Sequence, residues 1–357
     1  MQKTLDVLLA KDFSTYLWYS FKACILKTNL DTHSWFKNRF LNIVSYNAPY
    51  APWKKAHTWL KLDYIEHNAP ESTFQDLLEF YSYNSKSVRH MDVADFVKSA
   101  LCQHKYIQLE VDEYYVSAKD HYYKNHFYHP VLIYGFDDWA GTFQCIGFGK
   151  HNVFVFFTMT QLELYESAYS AADMIKQVSF THPHYDTAAV TIKRHDAFVP
   201  EFDHSLFRNS LTQFVYSVPN PVYDWVMGGI DEVNRYSYGI DALKNIPLCI
   251  RKDSYEDLDV AYLDFVFLQE RVVGLYTRLR WYIDNFTVSE HYVFELLDRY
   301  EKLVKDYKKF YFVVFREYVT SRDFFITNSS KKIEIANALE DLIFEEQEIL
   351  DKLIVAF

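Results

Sequence analysis

VDEYYVSAKDHYYKNHFYHPVLIYGFDD, residues Val111 to Asp138, is the stretch from which the rest of the chain is interpreted. A polar and aromatic run leads to His129, the apolar segment VLIYGF follows, and Asp137 and Asp138 close the stretch. A short apolar run between turn signals is typical of a buried strand. The sequence therefore predicts a strand with a histidine at its mouth, which is one way to mount a general base.

Further strands are predicted around this one, because apolar residues alternate or run continuously with Gly and Asp between the runs. Together with the strand at 130–136 they indicate a small antiparallel sheet, and they lie at 58–65, 106–111, 143–149 and 152–159, with an edge strand at 190–195. Helices are predicted at 13–28, from 31 through 44, and at 74–83, 91–103 and 160–172.

After Pro200 the pattern is almost entirely helical, with few Gly or Pro residues. Long amphipathic segments of this kind are typical of an antiparallel bundle. We therefore predict the α+β class, with a first domain at 1–200 that carries the site and a helical domain at 201–357. Three arginines lie among aromatic residues in the helical half: Arg271, Arg278 and Arg280. They are expected to form surface ion pairs, the alternatives being a groove for an acyl chain or a docking face for the phosphate-bearing arm of a carrier protein.

Composition limits the function classes. The chain has 37 Lys and Arg residues against 48 Asp and Glu residues, so its formal net charge is −11, and no basic patch stands out. A protein that binds the nucleic-acid backbone needs a basic surface, so no nucleic-acid partner is expected. The 30 Phe, 30 Tyr and 7 Trp residues indicate either a cleft for an aromatic or extended ligand or a codon bias.

The four cysteines point to a reducing compartment. They are widely and irregularly spaced and form no C-x-x-C motif: Cys24, Cys102, Cys145 and Cys249. Such spacing favours free thiols over a disulfide framework or a zinc site. No run of about 18 apolar residues occurs and the first residues do not resemble a signal peptide, so we expect a cytoplasmic protein without a membrane span.

The block NHFYHPVLIYGFDD, residues 125–138, resembles the H-x-V-L-I-x-G-[YF]-D segment of papain-like cysteine peptidase homologues. More narrowly, it is similar to the N-terminal domain of the butirosin-type acyltransferases of antibiotic clusters, a group that also includes an amide-forming homologue in closthioamide assembly. The segment YGIDALKNI, Tyr238 to Ile246, resembles the same group. The resemblance implies a papain-like domain that moves an acyl group from a carrier-protein thioester to an amine.

The same resemblance implies the partners and the kinds of site residue. An acyl carrier protein or a peptidyl carrier protein would deliver the thioester, a small-molecule amine would accept the acyl group, and no cofactor would take part. The nucleophile would be a cysteine at the start of the first helix, where the helix dipole lowers its pKa. His129 would be the base, and an Asp or Asn on a neighbouring strand would orient it.

Cys24 is the early cysteine that could fill the role of nucleophile. If the first helix begins near Ser20, Cys24 lies in its first turn and is a plausible thiolate. If the helix begins near Ser14, Cys24 lies two to three turns in and is a small core residue. Ser14 is then the remaining candidate for a nucleophile at the helix start.

The residue that orients His129 is open among several positions. Asn152 opens a later strand and is a candidate, as is Asp137, although about seven residues of strand, roughly 23 Å, separate Asp137 from His129. A solvated turn is the plainer interpretation of Asp137. Asp112 and Glu113 end the preceding strand, and antiparallel pairing would bring them near His129, where they would orient the imidazole or bind an amine.

Our prediction is an amide-forming acyltransferase that works through a cysteine acyl-enzyme. The alternatives are a non-catalytic protein that binds a metabolite or a carrier protein on the same scaffold, and a thioesterase or peptidase. His121, His126 and His129 match no known metal-ligand spacing, and no H-E-x-x-H motif occurs, so no metal is expected.

Overall fold

The computed structural model describes residues 1–10, 13–49, 58–65, 73–179, 186–195, 201–219, 236–251, 258–286, 291–320 and 329–357. The chain divides into two compact units. Unit 1 comprises Met1–His33 and Pro70–Val199, and unit 2 comprises Ser34–Ala69 and Pro200–Phe357. This division differs from a continuous first domain at 1–200, because residues 34–69 group with the C-terminal half of the chain.

Strands and helices are both abundant, as expected for the α+β class. The strands are β1 Gln2–Thr4, β2 Ile43–Pro49, β3 Thr58–Tyr64, β4 Leu78–Tyr83, β5 Lys105–Asp112, β6 Tyr128–Asp137, β7 Thr142–Phe148, β8 Phe154–Thr160, β9 Ala189–Arg194 and β10 Tyr236–Tyr238. The helices are α1 Leu17–Leu26, α2 His33–Lys37, α3 Ser85–His90, α4 Val93–Cys102, α5 Gln161–Ser179, α6 His204–Val215, α7 Gly239–Arg251, α8 Leu258–Phe286, α9 His291–Thr320 and α10 Ser329–Ala356.

Unit 1 is built on one seven-stranded sheet. Its strand order is β4-β9-β5-β6-β7-β8, with β1 paired to β6, and every pair is antiparallel. The central strands are rich in β-branched and aromatic residues, which suit a pleated and buried surface. Ile107, Val131 and Cys145 are fully buried in them. The sheet therefore forms the core that holds the residues around His129.

Two predicted helices of the first 100 residues are strands for all or part of their length. Residues 78–83 (LEFYSY) form β4, because this segment pairs along its whole length with β9. The helix expected from 31 through 44 ends at Lys37, and the chain then enters β2 at Ile43. Between them Phe40 has a φ of 57°, which is incompatible with a continuous helix.

The other strand predictions of unit 1 agree with the structure to within a few residues, with one difference in position. The segment predicted as an edge strand, β9, lies between β4 and β5 and hydrogen-bonds to both. Four of its residues are buried accordingly: Ala189, Val190, Thr191 and Ile192. The apolar pattern thus identified the strand, while its place in the sheet depends on the distant segment 78–83.

Unit 2 combines a small sheet with long helices. The sheet has the order β10-β2-β3, and this pairing is what joins residues 43–64 to the second half of the chain. Four long helices, α7 to α10, carry the apolar faces predicted from the sequence. Within the described residues, no helix combines the length and apolar character that a membrane crossing requires.

Two of the three arginines singled out in the helical half are buried, contrary to the surface ion pairs expected for them. Arg271 and Arg278 are 1% and 5% exposed, and Arg271 forms a bidentate pair with Glu346. Arg280 does form the expected surface pair, with Asp284 at 2.9 Å one helical turn away. Helical spacing therefore located the arginines, but it did not show which of them face the core.

Candidate functional site

The candidate site lies in unit 1, where β5 ends and β6 begins. Antiparallel register pairs Val111 with His129 and Asp112 with Tyr128. A 3-10 turn at Glu113–Tyr115 follows directly, and the Asp112 side chain caps it by accepting a hydrogen bond from the Tyr114 amide at 3.1 Å. Two consecutive carboxylates are therefore held beside the start of the histidine strand.

His129 and Glu113 form a histidine–carboxylate pair. Nδ1 of His129 lies 3.1 Å from Oε1 of Glu113, and the Glu113 side chain is buried whereas that of His129 is 32% exposed. The ring of Phe127 packs edge-on against the imidazole at 4.6 Å between centroids. An ionised carboxylate at Nδ1 favours the tautomer in which Nδ1 carries the proton, so Nε2 keeps its lone pair.

Lys119 is the third member of the cluster. Its Nζ lies 3.3 Å from Oε1 of Glu113 and 5.2 Å from the centroid of the Phe157 ring, and its side chain is fully buried. Within the described residues this ammonium makes no well-aligned hydrogen bond. The cluster therefore contains a buried cation whose main compensation is the charge of Glu113.

Burial and pairing act in opposite directions on the two buried groups. Burial would raise the pKa of Glu113, but the hydrogen bond from His129 and the charge of Lys119 outweigh it and hold the pKa below its usual 4.5. Burial lowers the pKa of Lys119 below its usual 10.5, and Glu113 only partly offsets this. The carboxylate is consequently ionised at neutral pH and available to orient the imidazole.

A second histidine–carboxylate pair stands beside the first. Nδ1 of His126 lies 2.6 Å from Oδ2 of Asp112, and the same oxygen accepts a hydrogen bond from the Ser170 hydroxyl at 2.6 Å. His126 stacks on Tyr114 with 4.6 Å between ring centroids, and its side chain is 52% exposed. Because Ser170 donates to Asp112 and not to a histidine, its hydroxyl is not activated as a nucleophile in this arrangement.

Cys24 lies in the third turn of α1, which begins at Leu17. Its thiol is fully buried, and Sγ accepts a hydrogen bond from the Ala10 amide at 3.4 Å. The first turn of α1, where a helix dipole would activate a thiol, is therefore not the position of Cys24. Ser14 precedes the helix by three residues and is half-buried.

The strand register also separates α1 from His129. Side chains alternate between the two faces of a sheet, and His129 pairs with Val111. Helix α1 contacts positions of the opposite parity, since Lys22 donates to Gln108 at 3.0 Å and Phe21 packs on Phe154. The alternation therefore directs His129 away from α1, while at the strand end its ring also lies 6.0 Å from that of Phe148, which packs on Phe154.

The other candidate partners of His129 have local roles in turns. Asp137 accepts hydrogen bonds from the amides of Trp139 and Ala140 at 2.9 and 3.2 Å, in the turn between β6 and β7. Asn152 lies in a 3-10 turn with a φ of 52°, and its amide donates to Asp120. Of the residues selected from the sequence, the structure thus brings Glu113 into contact with His129 and places Asp112 in the adjacent pair.

Three members of the site were not selected from the sequence: Lys119, His126 and Ser170. Lys119 follows the 3-10 turn in irregular chain, where no periodicity predicts burial, and Ser170 reaches the site from a helix 58 residues after Asp112. Within the described part of the chain, no group of three or more His, Cys, Asp or Glu residues is arranged to hold a metal ion.

Comparison with known proteins adds no family to this geometry. No family model matches the chain, and a search of curated proteins finds no significant match.

Proposed function

We propose that the chain transfers an acyl group from a thioester to an amine, with His129 as the general base. The observation that carries this proposal is the 3.1 Å contact between Nδ1 of His129 and the buried, ionised Glu113. A partly exposed imidazole held at one nitrogen by a carboxylate presents its other nitrogen to a substrate. The papain-like resemblance of residues 125–138 supports the thioester as donor, delivered by an acyl or peptidyl carrier protein.

His129 alone can carry out both proton transfers of the reaction between a neutral amine and a thioester. Nε2 of His129 takes a proton from the amine as its nitrogen attacks the thioester carbonyl, so that a C–N bond forms and a tetrahedral oxyanion results. Collapse of this intermediate breaks the C–S bond, and the leaving thiolate takes the proton from the imidazolium. Glu113 stabilises the transient imidazolium, and the products are an amide and a free thiol.

The burial of Cys24 favours direct transfer over a cysteine acyl-enzyme. A nucleophilic thiol has to meet the thioester and be deprotonated by the base, and Cys24 is fully buried on a helix that packs on the other face of the sheet. In an apolar setting a thiol stays protonated and unreactive. In the acyl-enzyme route, by contrast, Cys24 would have to become exposed before each turnover.

A second candidate is a non-catalytic binding protein on the same scaffold. The observation that favours it is again the burial of Cys24, since a papain-like scaffold without an accessible thiol lacks the usual first step. A thioesterase or peptidase differs from the leading proposal only in that water replaces the amine as acceptor.

The decisive experiment uses a benzoyl thioester of N-acetylcysteamine as donor and benzylamine as acceptor. We expect His129→Ala to lower kcat/KM by about 10²–10⁴-fold, the usual contribution of a general base. His90→Ala, a change of an exposed histidine in the same unit, is the matched control. Cys24→Ala separates the routes: retained turnover supports direct transfer, whereas loss of turnover together with an acylated wild-type enzyme by mass spectrometry supports the acyl-enzyme.

Full activity of His129→Ala would contradict the proposed mechanism. Failure of the wild-type protein to consume the thioester, with or without benzylamine, would favour the binding protein over the enzyme.

A further inference from the structure

A cavity of about 430 Å³ lies in unit 1 beside the histidine–carboxylate pairs. One face of α5 forms its longest wall, with Glu166, Tyr169, Ser170 and Asp173 at helical spacing. Tyr128, the residue before His129, lines it as well. His129 is not among the residues that line the cavity, which adjoins the site through Ser170, the donor to Asp112 of the second histidine–carboxylate pair.

The charges of the cavity do not cancel. Arg89 and Asp173 neutralise each other, with 3.2 Å between Nε and Oδ1, and the guanidinium also lies over the Tyr169 ring at 5.2 Å. Glu166 has no basic partner within the described residues. Behind the wall, the carboxylate of Asp112 is fully buried and connected to the cavity through the Ser170 hydroxyl.

The pKa values of two cavity tyrosines are raised, first by burial and then by these carboxylates. Burial raises the pKa of Tyr115 above its usual 10.0, and the charges of Asp112 and Glu166 raise it further. Burial and then Asp112 do the same to the pKa of Tyr128. The carboxylate contribution to these shifts favours a bound cation, whereas burial, the larger cause, disfavours any charge.

The lining also has the chemistry of a cation site. Three phenol rings face the cavity, those of Tyr115, Tyr128 and Tyr169, and one of them already carries a guanidinium over its face. Aromatic faces attract ammonium groups through the ring quadrupole, and a carboxylate at the rim supplies a counter-ion.

We infer that this cavity binds a protonated organic amine, with Glu166 as counter-ion and the Tyr115 and Tyr128 rings as walls. The inference rests on the proposed acyl transfer in one respect, since it assigns the bound amine as the acceptor, which releases one proton to solvent before its neutral nitrogen attacks the thioester. Its acceptor class is then an amine attached to an apolar or aromatic group, which the Met174 side chain and the tyrosines would contact.

Isothermal titration calorimetry with benzylamine at pH 7 tests the site without any turnover. Benzyl alcohol is the neutral probe of the same shape, and we expect it to bind at least about fivefold more weakly. Glu166→Gln should weaken benzylamine about three- to fivefold, as expected for a solvent-exposed ion pair, and Tyr115→Leu should weaken it by a similar factor. Glu334→Gln, a change of an exposed glutamate of α10, should leave the affinity unchanged.

Equal affinities for benzylamine and benzyl alcohol would overturn the inference, as would wild-type affinity in both Glu166→Gln and Tyr115→Leu. The calorimetric result is separate from the proposed function. If benzylamine binds as expected while His129→Ala retains acyl transfer, the cavity stands and the assigned base fails. If His129→Ala is inactive while benzylamine does not bind, the base stands and the cavity assignment fails.

Discussion

Each unit of the molecule contains a buried glutamate with cationic and hydrogen-bonding partners, and the two clusters differ in the number of donors on the carboxylate and in access to solvent. In unit 2, each carboxylate oxygen of Glu346 accepts two hydrogen bonds. Arg271 donates at 2.8 and 2.6 Å, and the hydroxyls of Tyr300 and Tyr307 donate at 2.6 and 2.9 Å. In unit 1, Glu113 has His129 and Lys119 on the same oxygen.

The groups around Glu346 are locked in their protonation states. Burial would lower the pKa of Arg271, but Glu346 outweighs burial and raises it above its usual value. Burial, followed by the charge of Glu346, raises the pKa of both Tyr300 and Tyr307 well above 10.0. Arg271, Tyr300 and Tyr307 therefore keep their protons near neutral pH, as expected for a structural element.

The groups around Glu113 have hydrogen-bonding capacity that the cluster itself does not use. One nitrogen of a partly exposed imidazole is not held by the carboxylate, and the ammonium of Lys119 makes an ion-pair contact without a well-aligned hydrogen bond. An incompletely paired buried cluster costs stability, and such costs are typical of functional sites. Both clusters contain one buried N–H group without a hydrogen-bond partner among the described residues, Lys119 Nζ and Arg271 Nε. The partly exposed imidazole is therefore the reason that we place function at Glu113 and not at Glu346.

The largest effect that tests the contrast is expected at Glu346. Glu346→Gln keeps the shape of the side chain but leaves Arg271 as an uncompensated buried charge, which should lower the free energy of unfolding by about 3–5 kcal/mol. The double variant Arg271→Met with Glu346→Leu should recover part of this loss, because both charges are removed together while the hydroxyls of Tyr300 and Tyr307 lose their acceptor. Urea denaturation followed by circular dichroism measures both values.

The matched control for that experiment is Glu348→Gln on the same helix. Glu348 pairs with Lys352 at 2.6 Å, but both side chains are about 40% exposed, so the change should cost no more than about 1 kcal/mol. A loss at Glu346 as small as that at Glu348 would show that the buried cluster is not the structural element described above.

A smaller effect is expected at Glu113. Glu113→Gln leaves Lys119 buried without its counter-charge, but a lysine can lose its proton, so we expect a loss of about 2–3 kcal/mol at pH 7. Adding Lys119→Met should restore stability without restoring activity, because His129 still lacks its carboxylate. Urea denaturation and thioester turnover, measured on the same preparations, check the two halves of this prediction.

The pH dependence of the Glu113 variant has a definite sign. Because the folded pKa of Glu113 lies below its usual 4.5, its ionisation stabilises the fold above pH 4.5, and this contribution is lost as the pH falls through the folded value. The wild-type protein should therefore lose stability more steeply below pH 4.5 than Glu113→Gln does. Parallel acid branches of the two stability curves would contradict the ion pair.

The sequence predicted the strands that hold the site better than the side chains that meet in it. Strand β6 follows from the apolar run after His129, and antiparallel pairing led us to expect Asp112 and Glu113 nearby. Lys119 was not predictable, because its burial depends on how the irregular chain after the 3-10 turn packs on Phe157. Local patterns specify strands and their ends, whereas contacts made by loops depend on the whole fold.

The errors elsewhere have the same origin. Residues 78–83 were predicted as helix, and their pairing with β9 decides for strand. Arg271 was expected at the surface. Helical spacing shows which side chains share a face of the helix, but it does not show that Glu346, 75 residues away, packs against that face. The position of Cys24 within α1 depended on where the helix begins, and Leu17 as first residue places the thiol in the core.

The smallest effect is expected at a third glutamate, Glu110, for which no donor compensates burial fully. It is half-buried on β5, and burial raises its pKa to about 7, a shift that the charge of Lys22 only partly reduces. Since the folded pKa lies above the usual 4.5, stability is fully present below pH 4.5 and is lost as the pH rises through about 7.

Glu110→Gln removes this penalty and should stabilise the protein at pH 8 by about 1–2 kcal/mol, with little change at pH 5. Urea denaturation at the two pH values measures the difference, and Glu79→Gln, at an exposed position of β4, is the control that should respond equally at both. A stabilisation by Glu110→Gln of the same size at pH 5 and pH 8 would mean that the gain comes from packing, and that unit 1 does not carry this third, uncompensated carboxylate.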